Sequence, residues 1–158
     1  MNLVAGQRAP AFALVGVDKA GKEGEFRLEE FSGGGGLVVY FYPKDGTPGC
    51  TNEAIAFRDR FEEFARLGIQ IIGISPDSAE SHARFQKKYG LPFPLLSDPD
   101  KEAARAWGAF GEKKRFGKVS EGIIRSSFLL GPDGIVLKVW RNVKVEGHIE
   151  QILQAVQG

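Results

Sequence analysis

Apolar residues fall in short runs separated by charged stretches, and two of those runs are almost unbroken. Leu37-Val-Val-Tyr-Phe-Tyr42 is β-branched and aromatic, which predicts a strand buried on both faces, and Pro43 ends it by withholding a backbone donor. Ile69-Gln-Ile-Ile-Gly-Ile-Ser75 predicts a second buried strand. Between them the period changes. From Thr51 onward Ala54, Phe57, Phe61, Phe64 and Ala65 recur at helical spacing, with Arg58, Asp59, Arg60, Glu62 and Glu63 interleaved, until Leu67-Gly68 closes the element. Pro76-Asp-Ser78 supplies an N-cap for the next helix, whose Phe85 and Tyr89 point inward and which Gly90 ends. This is a β-α-β-α unit, and right-handed crossover makes its two strands parallel neighbours.

The flanking segments are patterned more weakly. Phe12 and Leu14 alternate with small residues, a charged turn covers Asp18 to Glu25, and Phe26-Arg-Leu28 follows, which predicts a short N-terminal hairpin. Gly33 to Gly36 precede the first buried strand, where a phosphate cradle would follow one, and no Gly-Lys-Ser/Thr accompanies them, so they read as a turn. Pro92 and Pro94 flank a short extended piece, and Pro99-Asp-Lys-Glu begins a helix through Trp107. The basic run Lys113-Lys-Arg-Phe-Gly-Lys118 reads as a solvated loop. Ser126 to Leu130 and Ile135 to Trp140, joined by Gly-Pro-Asp-Gly134, predict a hairpin, and Ile149, Ile152, Leu153 and Val156 give a final helix one apolar stripe. Taken in order these elements predict a thioredoxin-like α/β sandwich, with a central mixed β-sheet flanked by helices and an N-terminal hairpin extension. One domain over residues 1–158 suits the length.

Composition narrows the function. Lys+Arg 21 against Asp+Glu 20 leaves a net charge of +1, which argues against a nucleic-acid partner. The first residues lack a signal-peptide pattern and no window is long and apolar enough for a bilayer, so the protein is expected to be soluble, cytoplasmic and free of membrane contact. Cysteine occurs once, at Cys50, so there is neither an internal disulfide nor a thiolate zinc site. His82 and His148 are dispersed and read as structural, and no metal or other cofactor is expected.

Cys50 lies in Pro43-Lys-Asp-Gly-Thr47-Pro-Gly-Cys50-Thr-Asn-Glu53, between the first buried strand and the following helix. Amides at a helix start lack intrahelical partners and carry the positive end of the macrodipole, so they favour a nucleophilic thiolate. A buried inert cysteine is the plainer alternative. Strand, turn, cysteine and helix start together favour reactivity.

Pro43-x-x-x-Thr47-x-x-Cys50 resembles the active-site signature of the peroxiredoxins, and Tyr40-Phe-Tyr-Pro-Lys-Asp with Thr47-Pro-Gly-Cys-Thr-Asn-Glu-Ala54 is similar to their bacterioferritin-comigratory, or peroxiredoxin Q, branch. Gly6 to Leu14, Leu91 to Asp98, Gly111 to Lys114 and Gly122 to Leu129 extend the likeness over nearly the whole chain. The resemblance implies a peroxidase in which the Cys50 thiolate attacks a hydroperoxide and becomes a sulfenic acid. It further implies that Thr47 positions the peroxide, Pro43 shields the sulfur, Arg125, on a later strand, pairs with thiolate and peroxide, and Glu53 orients Arg125. Without the resemblance, Thr47 could simply cap the helix or turn, and Glu53 could be an acid stabilising the helix dipole.

Many members of that branch carry a second cysteine five residues after the first, where this chain has Ile55, or on the next helix around His82 to Arg84, where it has none. A one-Cys enzyme is implied, recycled by an external thiol such as thioredoxin, glutaredoxin or glutathione, and acting as a monomer or weak homodimer. Ala11 and Gly46, where relatives commonly have an acid, are departures that touch no chemical step. Five residues along a helix separate two Cα atoms by about 8.7 Å, beyond the limit of about 7 Å for a disulfide, so a relative bridging those positions has to unwind its helix while this chain does not. Two rival functions use the same thiol. One is a peroxide sensor without turnover, and the other is monothiol exchange, since Thr47 stands where a Cys-x-x-Cys motif has its first thiol.

Overall fold

The computed structural model describes residues 2–157, except for the side chain of Arg115. Nine strands and five helices follow in chain order, here β1 (Ala13–Val17), β2 (Glu23–Arg27), β3 (Gly36–Phe41), α1 (Pro48–Asp59), α2 (Phe61–Arg66), β4 (Ile69–Ser75), α3 (Ala79–Tyr89), β5 (Leu95–Ser97), α4 (Glu102–Trp107), β6 (Phe110–Arg115), β7 (Lys118–Ile123), β8 (Ser126–Leu130), β9 (Val136–Arg141) and α5 (His148–Gln157). Seven strands form one sheet in the order β2-β1-β5-β4-β3-β8-β9. The centre is parallel, with Val38 opposite Ile71 on β4 and Gly73 opposite Leu95 on β5, and the outer pairings are antiparallel.

Strand β3 alternates between two cores, as a strand buried on both faces must. Val38, Tyr40 and Tyr42 face Cys50, Ala54 and Phe57 of α1, Phe64 of α2, Phe85 of α3 and Ile149, Ile152 and Leu153 of α5. Leu37, Val39 and Phe41 face the other way, onto Phe31, Ala104 and Trp107 of α4, and Phe128. The layer that covers the first face therefore carries the cysteine helix. Phe57 stacks on Tyr40 with ring centroids 4.6 Å apart, which fixes α1 against β3.

Several expectations are corrected. The helix that follows Thr51 is two helices, broken at Arg60, whose guanidinium is drawn to Glu63 and to Glu150 of α5; Ala65 consequently faces solvent. The short extended piece at Pro92 and Pro94 is followed by a strand that was not expected. β5 starts just after Pro94, because a proline offers only its carbonyl to the ladder, here to the Gly73 amide at 3.1 Å. The α4 helix starts at Glu102 rather than at Pro99, and the Asp98 carboxylate accepts from the amides of Ala103 and Ala104. The N-terminal hairpin is a full part of the sheet through β1 and β5. The basic run is not a loop but the turn of a separate two-stranded hairpin, β6–β7, with Phe116 and Gly117 both at positive φ as a tight hairpin turn requires. Among the described residues no helix is long and apolar enough to cross a membrane.

Removing the ring that seats α1 on β3 tests this packing. Phe57→Ala is expected to cost about 3–5 kcal/mol, read from the shift of the denaturant midpoint at unchanged slope. A cost under about 1 kcal/mol would show that α1 is held some other way.

Candidate active site

The chain leaves β3 through Tyr42, whose amide still bonds the Ile74 carbonyl at 3.0 Å, and turns over Pro43 to Thr47 with Gly46 at a φ of 80°. Thr47 is the N-cap of α1 and Pro48 takes the first helical position, where its missing donor costs nothing. The first intrahelical bond runs from the Thr51 amide to the Thr47 carbonyl at 2.8 Å. The amides of Gly49 and Cys50 precede that bond and point out of the helix start. Cys50 itself is only 1% exposed.

Arg125 comes from the short junction between β7 and β8, not from within a strand, and the Val143 amide holds its carbonyl at 3.0 Å. Its guanidinium divides between two partners: Nη2 donates to Cys50 Sγ at 3.2 Å and Nη1 donates to Glu53 Oε1 at 2.6 Å. A cation this close to sulfur offers it a charge-assisted hydrogen bond. Cys50 and Glu53, one helical turn apart, thus share one guanidinium. Glu53 is wholly buried, its Oε1 is taken by Arg125 and its Oε2 has no partner. Burial drives its carboxyl up to about 7, against the opposing pull of the Arg125 charge and hydrogen bond.

Thr47 and Pro43 line the same cleft, of about 790 Å³, together with Pro48, Gly49, Cys50 and Arg125 and with Glu112, Lys113 and Lys114 of β6. The Thr47 hydroxyl does not cap α1; it donates to the Lys44 carbonyl at 3.0 Å, which leaves its oxygen free to accept. A smaller concavity of about 350 Å³, lined by Arg8, Phe12, Leu28, Phe31 and Leu130, lies at the other end of β3 and contains no thiol.

Three contributions escaped the sequence reading. Gly49 makes room for the guanidinium, since a Cβ there would sit 3.2 Å from Arg125 Nη2. The basic hairpin walls the cleft, a role its charge alone could not reveal. Asp45 ties the loop to α3, accepting from Tyr42 Oη at 2.6 Å and Ser81 Oγ at 2.7 Å and pairing with His82 Nδ1 at 2.8 Å, while His82 Nε2 meets the Leu96 carbonyl at 2.9 Å. Burial pushes the Asp45 carboxyl up, but His82, Tyr42 and Ser81 outweigh it and hold it below its ordinary value. His148 bonds Ser127 Oγ at 2.8 Å, and burial lowers its ionisation. Both histidines are thus occupied by packing.

A strand-to-helix turn thus presents the one cysteine to a buried arginine. Residues 5–139 match the AhpC/TSA family. The chain belongs to that family. It is 46% identical over 158 residues to the peroxiredoxin Bcp of Bacillus subtilis (strain 168), covering 99% of this chain and 97% of the relative. It is 49% identical over 121 residues to peroxiredoxin Bcp of Xanthomonas campestris pv. campestris, 77% of this chain and 76% of that one. Among solved structures, the bacterioferritin comigratory protein of Xanthomonas campestris, studied for alkyl peroxide reduction, superposes with a TM-score of 0.83 at 42% identity, over 92% of this chain and 90% of that one. PrxQ of Xylella fastidiosa gives 0.86 at 31% identity, over 99% and 97%. This AhpC/TSA member is a thiol-dependent peroxidase with a thioredoxin-like fold, acting on a hydroperoxide with a thiol as reductant.

Burial of Glu53 has a measurable consequence for stability. Between about pH 4.5 and about 7 the folded chain keeps a proton on Glu53 that the unfolded chain has released, so rising pH in that window lowers stability through this group. The difference between wild type and Glu53→Gln, from denaturant unfolding, is expected to shift against wild type by on the order of 3 kcal/mol across the window. A pH-independent difference would show that Glu53 titrates normally.

Proposed function

We propose that Cys50 is the peroxidatic thiolate, that Thr47 and Arg125 position the hydroperoxide, that Pro43 shields the sulfur and that Glu53 positions Arg125. The observation that carries this reading is the Arg125 guanidinium, 3.2 Å from Cys50 Sγ and 2.6 Å from Glu53. Sulfur attacks the terminal peroxide oxygen, the O–O bond breaks, and the other oxygen leaves as water or an alcohol after taking up a proton. Charge develops along the S–O–O line. Arg125 and the Gly49 and Cys50 amides supply donors to it. Thr47 Oγ, its own proton committed to Lys44, accepts from the peroxide hydroxyl and fixes its orientation.

Hydrogen peroxide and organic hydroperoxides both fit an open cleft of about 790 Å³. With one cysteine, the sulfenic acid condenses with an external thiol, water leaves, and a second thiol releases Cys50. Lys113, Lys114 and Arg125 against Glu112 around the cleft support an anionic thiol such as glutathione, beside thioredoxin or glutaredoxin. The enzyme works as one cytoplasmic domain over residues 1–158, as a monomer or weak homodimer.

Steady-state peroxide consumption with each reductant is expected for wild type and absent in Cys50→Ser; consumption stopping after one equivalent with every reductant would make the protein a sensor. Arg125→Met is expected to lower the second-order rate with peroxide about 10²–10³-fold while the circular dichroism and unfolding transition remain. An undiminished rate in the folded variant would remove Arg125 from the mechanism. Because no internal disulfide has to form, α1 is expected to keep its amide-exchange protection over residues 50–60 when Cys50 carries a small thiol as a mixed disulfide. Loss of protection over that whole segment would show that the helix unwinds regardless.

A further inference from the structure

We propose that Glu53 is the proton counterweight of Cys50: it holds a proton while the sulfur is a thiolate and gives it up when the sulfur becomes a neutral sulfenic acid, so that the buried site keeps constant charge through the peroxide step. The inference rests on Cys50 being the group that reacts with peroxide.

The geometry places two acids on one cation. Arg125 Nη1 and Nη2 bond Glu53 and Cys50 respectively, the arginine side chain is 17% exposed, and neither Cys50 nor Glu53 exceeds 1%. With both acids ionised the trio would carry a net negative charge in a poorly solvated site, which is costly. The other cations lining the cleft, Lys113 and Lys114, stand on β6, and Arg125 is the cation that hydrogen-bonds both acids. Tyr40 of β3 faces Glu53 with an unpartnered hydroxyl and, being buried beside Glu53, Asp45 and Cys50, stays neutral far above its ordinary range. Asp45 of the preceding loop adds negative charge, and His148 of α5, near Arg125, has its ionisation lowered by burial. Of the trio, Glu53 is the group that can shed its charge. Its Oε1 remains bonded to Arg125 while Oε2, which has no partner, can carry the proton.

The proton balance follows. Thiolate plus hydroperoxide yields sulfenic acid plus alcohol only if one proton is added. If Glu53 keeps its proton, solvent must provide it. If Glu53 ionises as the thiolate charge disappears, the added proton and the released one cancel. Burial raises the Glu53 carboxyl to about 7, and because Cys50 shares its guanidinium, a negative charge on the sulfur opposes a second one on Glu53 until the sulfur becomes neutral. The exchange therefore runs above about pH 7 for as long as the thiolate keeps Glu53 protonated beforehand, and in the recycling half-reaction Glu53 takes a proton back as the thiolate is regenerated.

The test is proton uptake per Cys50 oxidised, measured by stopped flow in weak buffer with a pH indicator at about pH 8, while sulfenic acid is trapped and counted in the same samples. Wild type is expected to take up almost none, and Glu53→Gln, whose amide still accepts from Arg125, about one proton per sulfur. Equal uptake by the two proteins overturns the proposal, whether both take up one, which would mean Glu53 does not respond, or both none, which would mean the sulfur stays anionic as sulfenate. Failure of Cys50 to be trapped at all would instead overturn the assignment of the peroxide-reacting group, and this inference with it. Difference infrared spectroscopy on wild type gives the same answer without a variant. Oxidation is expected to remove the carbonyl stretch of a protonated carboxyl group, identified by carboxyl-labelled glutamate, and its persistence overturns the proposal.

Discussion

The structure turns on the burial of one guanidinium. Arg125 leaves water at a cost of several kcal/mol that only good acceptors can offset, and it finds them in Cys50 and Glu53. Both acceptors come from the first turns of α1, spaced so that one planar fork reaches both. That spacing has value only while α1 holds its position against the sheet. The Tyr40 and Phe57 stack, the entry of the chain through β3 and the bond from the Val143 amide to the Arg125 carbonyl are the means by which the two sides of the fork stay in register. Gly49 belongs to the same constraint, because a side chain there would crowd the guanidinium.

The central fold was legible because its signals are local and strong. A run such as Leu37 to Tyr42 has few alternatives to a doubly buried strand, and Ser78 and Gly90 bound α3 as a cap and a left-handed terminus do. What stayed hidden depends on distant partners. The break at Arg60 answers to Glu63 and to Glu150 on the last helix, the latter ninety residues away. The start of α4 answers to the Asp98 carboxylate, and the basic run folds as a hairpin because Lys113 and Lys114 find Ser120 and Val119 across it. At the site, Cys50 stood out from the chain alone. Thr47, Pro43, Glu53 and Arg125 were named by resemblance, and the geometry now shows Glu53 and Arg125 bonded in one chain of contacts, with Thr47 and Pro43 beside them in the cleft.

The loop carrying Pro43 to Thr47 is the other half of the site, and it is held from below. Asp45 gathers hydrogen bonds from Tyr42, Ser81 and His82, and its amide donates to Asp77 Oδ2 at 2.7 Å, so the loop, the end of β4 and the first turn of α3 form one polar cluster. α3 carries no cysteine, so no disulfide requires it to yield. His82, wholly buried and bound at both ring nitrogens, makes loosening α3 expensive, because its opening would strand the Asp45 carboxylate and the Leu96 carbonyl. A chain that resolves its sulfenic acid with an external thiol can keep loop, α1 and α3 closed around the sulfur throughout. The burden then passes from the helices to the cleft, where the incoming thiol must reach a sulfur that is 1% exposed past the wall formed by β6. That wall belongs to a two-stranded hairpin that forms its own sheet and is anchored at its base by Phe110 and Ile123 in the second core. The physical division is therefore a floor of β3, α1 and α3 that sets the surroundings of Cys50 and a separate wall that an incoming thiol has to pass.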